Sequence, residues 1–287
     1  MTHTNICRTL VLFAMITVTM NVAAEQPTTG GTMSPRVQQV VALLKAIETG
    51  ASEQVAVINP TKYVQHNLAI ADGLAGLGAL LQQLPKGSAK VNTVRAFEDG
   101  EFVFTHTEYN FFGPKIGFDI FRFENGRIVE HWDNLQETAG PNPSGHTMID
   151  GPTAATDLDK TEANRTLVRA FVDDILVNGR MDKLAGYFDG DNYTQHNPQI
   201  PDKLSGLGAA LQAMAKQGVT LKYDRIHKVF AYGNFVLTVS EGTLAGRHTS
   251  FYDLFRVQNG KIAEHWDVIE PIAPREQWKN QNGKFGF

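Results

Sequence analysis

An internal repeat constrains this chain more than any other feature of its sequence. The segment YVQHNLAIADGLAGLGALLQQL at residues 63–84 aligns with YTQHNPQIPDKLSGLGAALQAM at residues 193–214, an offset of 130. The segment FDIFRFENGRIVEHWD at residues 118–133 aligns with YDLFRVQNGKIAEHWD at residues 252–267, an offset of 134. Because the order and spacing of the segments are kept, the chain contains a tandem duplication. Two long copies predict two similar domains rather than a solenoid.

Composition predicts where these domains begin and end. The first residues combine one basic residue, Arg8, with an apolar run from Leu10 to Met20 and small residues before Glu25, a pattern typical of a secretory signal peptide. The run is shorter than the about 20 apolar residues of a membrane span, although an uncleaved anchor remains an alternative. A stretch rich in Gly, Pro, Ser and Thr separates the two copies and predicts a mobile linker. The predicted segments are a signal peptide (1–24), a flexible lead-in (25–34), a first domain (35–139), a linker (140–159) and a second domain (160–287).

Charge and cysteine content narrow the classes of function. The chain has 26 Lys and Arg residues against 30 Asp and Glu residues, which argues against a nucleic-acid partner. Its one cysteine, Cys7, lies inside the predicted signal peptide, so the mature chain contains neither a disulfide nor a thiol nucleophile. We expect a secreted or periplasmic protein that has no membrane span once the signal is cleaved.

Hydrophobic periodicity predicts the order of secondary structure in each unit. Both units begin with an apolar stripe at helical spacing, and a second helix follows each Gln-His-Asn segment. Strand patterns come afterwards, as FVFTHTEYNFF in one unit and FVLTVSEGTL in the other, followed by the hairpin that carries Glu-His-Trp-Asp. Helices followed by antiparallel strands indicate an α+β fold, with N-terminal helices packed on one face of a curved antiparallel sheet. The helical stripes consist of Val37, Val40, Val41, Leu44 and Ile47, and of Leu167, Val168, Phe171, Val172, Ile175 and Leu176.

These motifs resemble the SnoaL-like polyketide cyclases of the nuclear transport factor 2-like superfamily. The similarity rests on Tyr-x-Gln-His-Asn, Gly-Leu-Gly, Asp-x-Phe-Arg and Asn-Gly-(Arg/Lys)-Ile-x-Glu-His-Trp-Asp, and it covers both units. The resemblance implies two cone-shaped α+β domains, each enclosing a deep apolar pocket. It also implies acid–base chemistry on a small hydrophobic or carbonyl-containing ligand without metal or organic cofactor, typically intramolecular aldol cyclisation.

The repeated hairpin has two plausible registers, which differ in the face that its side chains share. A two-residue Asn-Gly turn pairs Asp119 with Trp132 and sends Asp119 and Asp133 to opposite faces. A three-residue turn with glycine in the left-handed conformation pairs Asp119 with His131 and keeps both aspartates on one face. We favour the second register. It predicts an inner face of Asp119, Phe121, His131 and Asp133, repeated as Asp253, Phe255, His265 and Asp267, and an outer face that includes Ile120, Ile128 and Trp132, repeated as Leu254, Ile262 and Trp266.

Two carboxylates and an imidazole on one apolar face predict an acid–base site, because such a pocket raises a carboxyl pKa. Asp133 and Asp267 are the predicted general acid–base groups. Residues with supporting roles are His131 and His265 for the enolate, His66 and His196 for the substrate oxygen, Asp119 and Asp253 as further catalytic carboxylates, and Asn67, Asn197, Phe121, Phe255, Tyr63 and Tyr193 for substrate binding. The second unit is the favoured active one because it keeps a proline, Pro198, after Gln-His-Asn.

Several alternatives remain open at this point. Asp119 and Asp253 are also explained as members of buried structural ion pairs. A metal is disfavoured because the candidate ligands lack a tight spacing in the sequence. A non-catalytic small-molecule-binding protein would use the same pocket as an enzyme. The apolar outer faces, with Trp132 and Trp266, predict that the two domains pack sheet to sheet as an intrachain pseudo-dimer, and the sequence leaves open whether the chain also forms a homo-oligomer.

Overall fold

A computed structural model of the protein describes residues 33–84 and 87–287. The predicted signal peptide and most of the lead-in therefore lie outside the described residues. Residues Met33–Phe287 form one compact unit. Within the described ranges, no helix has both the length and the apolar character needed to cross a membrane.

The first domain follows the predicted order of helices and strands. The helix α1 (Pro35–Thr49) comes first, and Ser34 caps it by accepting a hydrogen bond from Val37 N at 3.2 Å. Gly50 ends this helix in the left-handed conformation, with φ of 71°. The remaining elements are a 3₁₀ helix (Ser52–Val57), β1 (Val64–Gln65), α2 (Gly73–Gln83), β2 (Lys90–Asp99), β3 (Phe102–Asn110), β4 (Pro114–Glu124) and β5 (Arg127–Glu137).

The second domain repeats this order with small differences. Its first helix, α3 (Thr161–Phe171), continues directly into a π-helical turn, Val172–Val177. The elements that follow are a 3₁₀ helix (Met181–Tyr187), β6 (Thr194–Gln195), α4 (Leu204–Lys216), β7 (Leu221–Tyr232), β8 (Phe235–Leu244), β9 (Arg247–Gln258) and β10 (Lys261–Pro271).

Both domains contain a five-stranded sheet with the same topology. The strand orders are β1-β5-β4-β3-β2 and β6-β10-β9-β8-β7. The short strands β1 and β6 pair in parallel with β5 and β10, whereas all other neighbours are antiparallel. Apolar residues of α1 and α3 pack against the inner faces of these sheets. The α+β class and the repeated architecture predicted from the sequence are confirmed.

The turn of the repeated hairpin differs from the favoured prediction. Asn125 and Gly126 form a two-residue turn with φ of 50° and 75°, the left-handed values that Asn-Gly supports. A β-bulge lies beyond this turn, where Val129 is left without a partner residue on β4. The extra residue shifts the pairing of the two-residue turn by one position, so Asp119 faces Asp133 rather than Trp132, and the favoured pairing with His131 does not occur. The predicted register was wrong, but both aspartates do share the inner face of the sheet.

The bulge also changes which residues reach the outer face. Ile128 and Ile262 precede the bulges and pack inside their own domains, so their predicted outward placement was wrong. Beyond the bulges, the predicted alternation holds, and Trp132 and Trp266 point outward.

The outer faces of the two sheets pack together into one apolar core. Trp132 and Trp266 are only 1% and 0% exposed, and they share this core with aromatic residues of both domains. The rings of Phe97 and Phe235, one from each domain, stack with centroids 5.0 Å apart. The predicted sheet-to-sheet pseudo-dimer within the chain is confirmed.

Each domain is followed by a segment that packs on the other domain. Asn142, in the segment 138–157, donates to Gln195 O at 2.6 Å and Ile200 O at 3.0 Å. We call this segment the first strap. Residues 272–287, the second strap, return to the first domain, where the side chain of Asn280 donates to two backbone carbonyls at 2.8 and 2.9 Å. The prediction of a mobile linker was therefore wrong, and the last residues of the predicted second domain lie against the first.

Asn142 and Asn280 provide a matched test of whether each strap holds the other domain. Asn142 and Asn280 are 4% and 5% exposed, and each donates to two carbonyl oxygens. We expect Asn142→Ala and Asn280→Ala each to lower the free energy of unfolding by about 1–3 kcal/mol, because buried carbonyls lose their donors. Urea denaturation followed by circular dichroism measures the loss, with the exposed Gln281→Ala as the control. Equal stability of all three variants would show that the straps do not hold the domains.

Candidate active site

Each sheet encloses a cavity on its inner face. The cavity of the second domain has a volume of about 550 Å³, and that of the first domain has a volume of about 330 Å³. Both lie within the range of about 300–1,000 Å³ that is typical of small-molecule sites. Predicted site residues that line them are Tyr63, Asn67, Asp119, Phe121, His131 and Asp133 in the first, and Tyr193, Asn197, Asp253, Phe255, His265 and Asp267 in the second.

Asp267 has one fixed oxygen and one free oxygen. Its Oδ2 accepts a hydrogen bond from Asn197 Nδ2 at 2.7 Å. Its Oδ1 is buried and has no hydrogen-bond partner among the described residues. In the first domain, Asn67 Nδ2 holds Asp133 Oδ2 at the same distance, 2.7 Å, and Asp133 Oδ1 is again without a hydrogen bond from the described residues. Each cavity is thus lined by one aspartate that has a carboxylate oxygen without a hydrogen bond from the described residues.

His265 is held on both sides of its ring. Its Nε2 lies 3.0 Å from Asp253 Oδ1, and its Nδ1 lies 3.0 Å from Gln195 Oε1. Because Gln195 Nε2 donates to the hydroxyl of Tyr193, its Oε1 must be the acceptor that faces the imidazole. Both ring nitrogens therefore meet acceptors, which favours the doubly protonated imidazolium. His131 has the matching contacts with Asp119 and Gln65, both at 3.1 Å.

Asp253 and Asp119 are enclosed by hydrogen bonds, unlike Asp267 and Asp133. The hydroxyl of Tyr223 donates to both oxygens of Asp253 at 3.2 Å, and the hydroxyl of Tyr109 donates to Asp119 Oδ2 at 2.6 Å. These two carboxylates line the cavities, but their bonds favour the structural interpretation over a catalytic one. They hold the histidines in place.

Sequence reasoning missed the two tyrosines that hold these carboxylates. Tyr109 lies on β3, whereas Tyr223 lies on β7, so the two domains supply the hydroxyl from different strands. Gly242 lies opposite Tyr223, and a Cβ there would come within 2.9 Å of Tyr223 Cα. Because the tyrosines are not at repeated positions, comparison of the two copies could not reveal them.

Gln65 and Gln195 were also missed as individual site residues. They lie on β1 and β6, whose parallel pairing places them directly beside His131 and His265. Both are 1% exposed. The repeated Gln-His-Asn segment was the available signal, since its first and third residues, rather than its histidine, reach the cavity.

His66 and His196 face away from the cavities. His196 Nε2 bonds Glu264 Oε1 at 2.8 Å, and its ring stacks on Trp266 with centroids 4.5 Å apart. His66 has the equivalent contacts with Glu130 at 3.0 Å and Trp132 at 4.6 Å. Neither histidine is among the described residues that line a cavity, so the expectation that they position a substrate oxygen was wrong. Strand alternation places the histidine of Gln-His-Asn opposite its two neighbours.

Burial sets the charge properties of the second site. It raises the pKa of Asp267, and the negative charge of Asp253 acts in the same direction, although attraction to His265 opposes both. Burial lowers the pKa of His265, but the hydrogen bond with Asp253 and the charges of both aspartates outweigh it, so the pKa of His265 is raised. Asp267 and His265 therefore stay protonated to higher pH than free aspartate and histidine side chains do.

The first site has a cation that distinguishes it from the second. Lys284, in the second strap, is 5% exposed, and its Nζ binds Glu270 Oε2 at 2.6 Å. The same Nζ lies 3.9 Å from Asp133 Oδ1, the oxygen without a hydrogen bond. Because the second strap packs on the first domain, Lys284 lies beside Asp133 of the first cavity.

The two aspartates and the histidine on each inner face are metal-ligating side chains, but the histidine nitrogens already make hydrogen bonds. In each domain, the two aspartates and the histidine offer ligand atoms within 4.8 Å of one another. Both nitrogens of each histidine contact protein oxygens, so a metal would have to displace a hydrogen bond from Asp119 or Asp253, or from Gln65 or Gln195. We assign no metal to the cavities.

Comparison with known families supports the assignment of this architecture. The family model for the SnoaL-like domain matches residues 168–265, which run from α3 to the histidine of the inner face. Residues 168–265 are similar to the SnoaL-like domain. The repeated topology extends the same architecture to the first domain. No curated protein matches the chain in sequence.

Three solved structures illustrate what the chain is similar to. A candidate ketosteroid isomerase from Kribbella flavida is 19% identical, with 41% of this chain and 87% of that chain covered and a TM-score of 0.31. IdmH, a candidate polyketide cyclase from Streptomyces antibioticus, is 18% identical. The match covers 36% of this chain and 93% of that chain, with a TM-score of 0.31. An M. tuberculosis LEH-like epoxide hydrolase is 24% identical. The match covers 39% of this chain and 85% of that chain, with a TM-score of 0.30.

Proposed function

We propose that the protein is a cofactor-independent enzyme that transfers protons next to the carbonyl group of a small hydrophobic molecule. The reaction class is that of an aldol-type cyclase, an isomerase or a dehydratase. One observation carries the proposal: Asp267 lines an apolar cavity of about 550 Å³, and one of its two buried carboxylate oxygens accepts no hydrogen bond from the described residues. The SnoaL-like domain supports an enzyme of this kind.

In this proposal, each residue of the second site has a separate task. The carboxylate of Asp267 takes a proton from the carbon next to the carbonyl, and the electrons of that C–H bond form an enolate. The resulting carboxylic acid then returns the proton to carbon or oxygen. Asn197 fixes the carboxylate through Oδ2. Because both nitrogens of His265 already face acceptors, this residue stabilises the enolate by its charge rather than by donating a hydrogen bond.

The first cavity favours a second candidate function, non-catalytic binding of a small molecule. Lys284 Nζ lies 3.9 Å from the oxygen of Asp133 that corresponds to the free oxygen of Asp267. This cation is placed to pair with the oxygen that would have to stay free for a base. We therefore propose that catalysis belongs to the second cavity, and that the first binds a ligand without transforming it.

The identity of the ligand is the first experimental question. We expect the purified protein to retain a hydrophobic carbonyl compound, which organic extraction and mass spectrometry would identify. Incubation of that compound with protein in deuterated water should then replace hydrogen next to the carbonyl. Binding without deuterium incorporation would support the non-catalytic function instead. If the extract contains no such compound, a library of carbonyl compounds would be tested in the same deuterium-exchange assay.

The raised pKa of Asp267 predicts a particular pH dependence of deuterium exchange. As the base, Asp267 works in its ionised form, so the rate falls as pH falls through its pKa. Since that pKa is raised, the acidic limb of the pH–rate profile lies above the ordinary value for aspartate, about 3.9. Rates measured across the pH range in constant ionic strength test this. A limb at or below the ordinary value would exclude Asp267 as the base.

The location of the protein is a separate proposal. The basic residue, apolar run and small residues of segment 1–24 support export to the periplasm or the medium. N-terminal sequencing of the mature protein would test it, with Glu25 expected as the first residue.

A further inference from the structure

A cluster of two histidines and a carboxylate lies outside both cavities, between the first strap and the second domain. His146 and Asp150 belong to the strap, and His196 belongs to the Gln-His-Asn-Pro segment of the second domain. One ligand atom from each lies within 4.8 Å of the other two. The mechanism proposed above uses none of these three residues.

His196 presents its Nδ1 to oxygen atoms only. The opposite ring nitrogen, Nε2, lies 2.8 Å from Glu264 Oε1, whose second oxygen accepts from Arg256 Nε at 2.6 Å. A proton on Nε2 therefore satisfies the bond to Glu264. The Nδ1 atom then faces Asp150 Oδ1 at 2.7 Å and Thr147 O at 2.8 Å. Asp150 Oδ1 is buried and makes no hydrogen bond within the described part of the chain, although it approaches His196 so closely.

His146 is oriented in the same way towards the same carboxylate. Its Nε2 lies 3.2 Å from Asp202 Oδ2, and its Nδ1 lies 3.8 Å from Asp150 Oδ2. The rings of His146 and His196 have their centroids 5.1 Å apart. Each histidine thus has a carboxylate behind Nε2 and directs Nδ1 at Asp150, which lies between them.

We propose that His146, Asp150 and His196 form a binding site for a divalent transition metal ion of the zinc type. Imidazole nitrogen and carboxylate oxygen are ligands that zinc prefers. A metal-bound histidine typically donates its other N–H to a carboxylate, the arrangement that Glu264 and Asp202 provide. The side chains of His146 and Asp150 are 35% and 42% exposed, which leaves an entry path, and a water or Thr147 O would complete a tetrahedral shell.

The charges around the cluster also admit a cation. Three carboxylates face it, from Asp150, Asp202 and Glu264. Two arginines offset them: Arg256 binds Glu264, and Arg95 binds the backbone oxygen of Asp150 at 2.5 Å. The carboxylates outnumber the arginines, and opposite charge favours binding of a divalent ion.

No such cluster lies beside His66 among the described residues of the first domain, which therefore acts as an internal comparison. There, His66 Nδ1 meets a single backbone oxygen, Gly283 O, at 2.7 Å. The end of the second strap, WKNQNGKFGF at residues 278–287, contains no histidine, aspartate or glutamate. The first strap carries ligand residues beside His196, whereas the end of the second strap carries none beside His66, so we expect one bound ion in each chain. The ion would fix the first strap to the second domain and would not enter the cavity.

Zinc binding to the purified chain tests the site directly. Isothermal titration with Zn²⁺ should give one ion per chain, and Zn²⁺ should raise the midpoint of thermal unfolding, because a ligand that binds only the folded state stabilises it. We expect His146→Asn and Asp150→Asn to weaken binding by more than about 100-fold, and Asp202→Asn, which removes an orienting carboxylate, to weaken it about 10- to 100-fold. In His146→Asn and Asp150→Asn, the zinc-induced rise of the midpoint should disappear.

Controls separate this site from other histidines and from loss of folding. His248→Asn replaces an exposed histidine that is bonded to Glu241 and should leave zinc binding unchanged. His146 is partly exposed, so its variant should keep the circular dichroism spectrum of the parent chain. If the parent chain does not bind zinc, or if His146→Asn binds it equally well, the cluster serves only to hold the first strap on the second domain through the contacts of His196 with Glu264 and Asp150, and the proposal fails.

Discussion

Replacing Asp267 with asparagine should abolish most of the proton-transfer activity of the protein and leave its fold intact. A general acid–base group contributes about 100- to 10,000-fold in rate, equivalent to about 3–5 kcal/mol of transition-state stabilisation. Asparagine keeps an acceptor oxygen for Asn197 Nδ2, which now lies 2.7 Å from Asp267 Oδ2, but it cannot take a proton. Deuterium incorporation next to the carbonyl of the ligand measures the loss.

The same substitution in the first domain is the matched control. Asp133→Asn alters the equivalent carboxylate, which lies beside Lys284, and should change the rate little if the second cavity is the catalytic one. A loss of rate in Asp133→Asn and none in Asp267→Asn would reverse the assignment of the two cavities. Equal, small effects of both would remove the carboxylates from the mechanism altogether.

Folding stability should separate the chemical role of Asp267 from a structural one. Its pKa is raised in the folded state, so the stability linked to its proton is present below the unfolded value of about 3.9 and is lost as pH rises through the folded value. At neutral pH the ionised carboxylate is therefore less favourable in the fold than in the unfolded chain. Asp267→Asn removes that penalty, and urea denaturation at neutral pH should show no loss of stability relative to the parent chain.

The inner face of the site was predictable because strand alternation is a local property. Residues two apart on a strand share a face, so the sequence alone places His131 with Asp133 and His265 with Asp267. The register was not predictable in the same way. It depends on the bulge at Val129, and neither the Asn-Gly turn nor the hydrophobic pattern specifies an unpaired residue three positions beyond the turn.

Contacts between distant parts of the chain were beyond the sequence. The first strap has the Gly- and Pro-rich composition of a linker, yet the side chain of Asn142 is bonded to the backbone of the other domain. Lys284 reaches Asp133 across 151 positions of sequence only because the second strap returns to the first domain. Composition describes the local conformational freedom of a segment, and it carries no information about which surface the segment will cover.

The outer-face tryptophans should make the largest contributions to stability of any single side chains at the interface. Trp132 and Trp266 are 1% and 0% exposed and lie in the core shared by both sheets. Replacing a buried tryptophan with alanine removes a large apolar surface and leaves a cavity that the neighbours only partly fill. We expect Trp132→Ala and Trp266→Ala each to lower the free energy of unfolding by about 3–5 kcal/mol, measured by urea denaturation with circular dichroism.

Phenylalanine variants should separate packing from hydrogen bonding at these two positions. Trp266 Nε1 donates to Asp150 O at 3.0 Å, whereas Trp132 Nε1 is buried without a hydrogen-bond partner in the described ranges. Trp266→Phe therefore loses a hydrogen bond of about 0.5–1.5 kcal/mol in addition to ring volume, and Trp132→Phe removes a buried donor that makes none. We expect Trp266→Phe to be the more destabilising of the two by about that amount. If the two costs are equal, the bond to Asp150 contributes nothing, and apolar packing alone accounts for the stabilisation at these two positions.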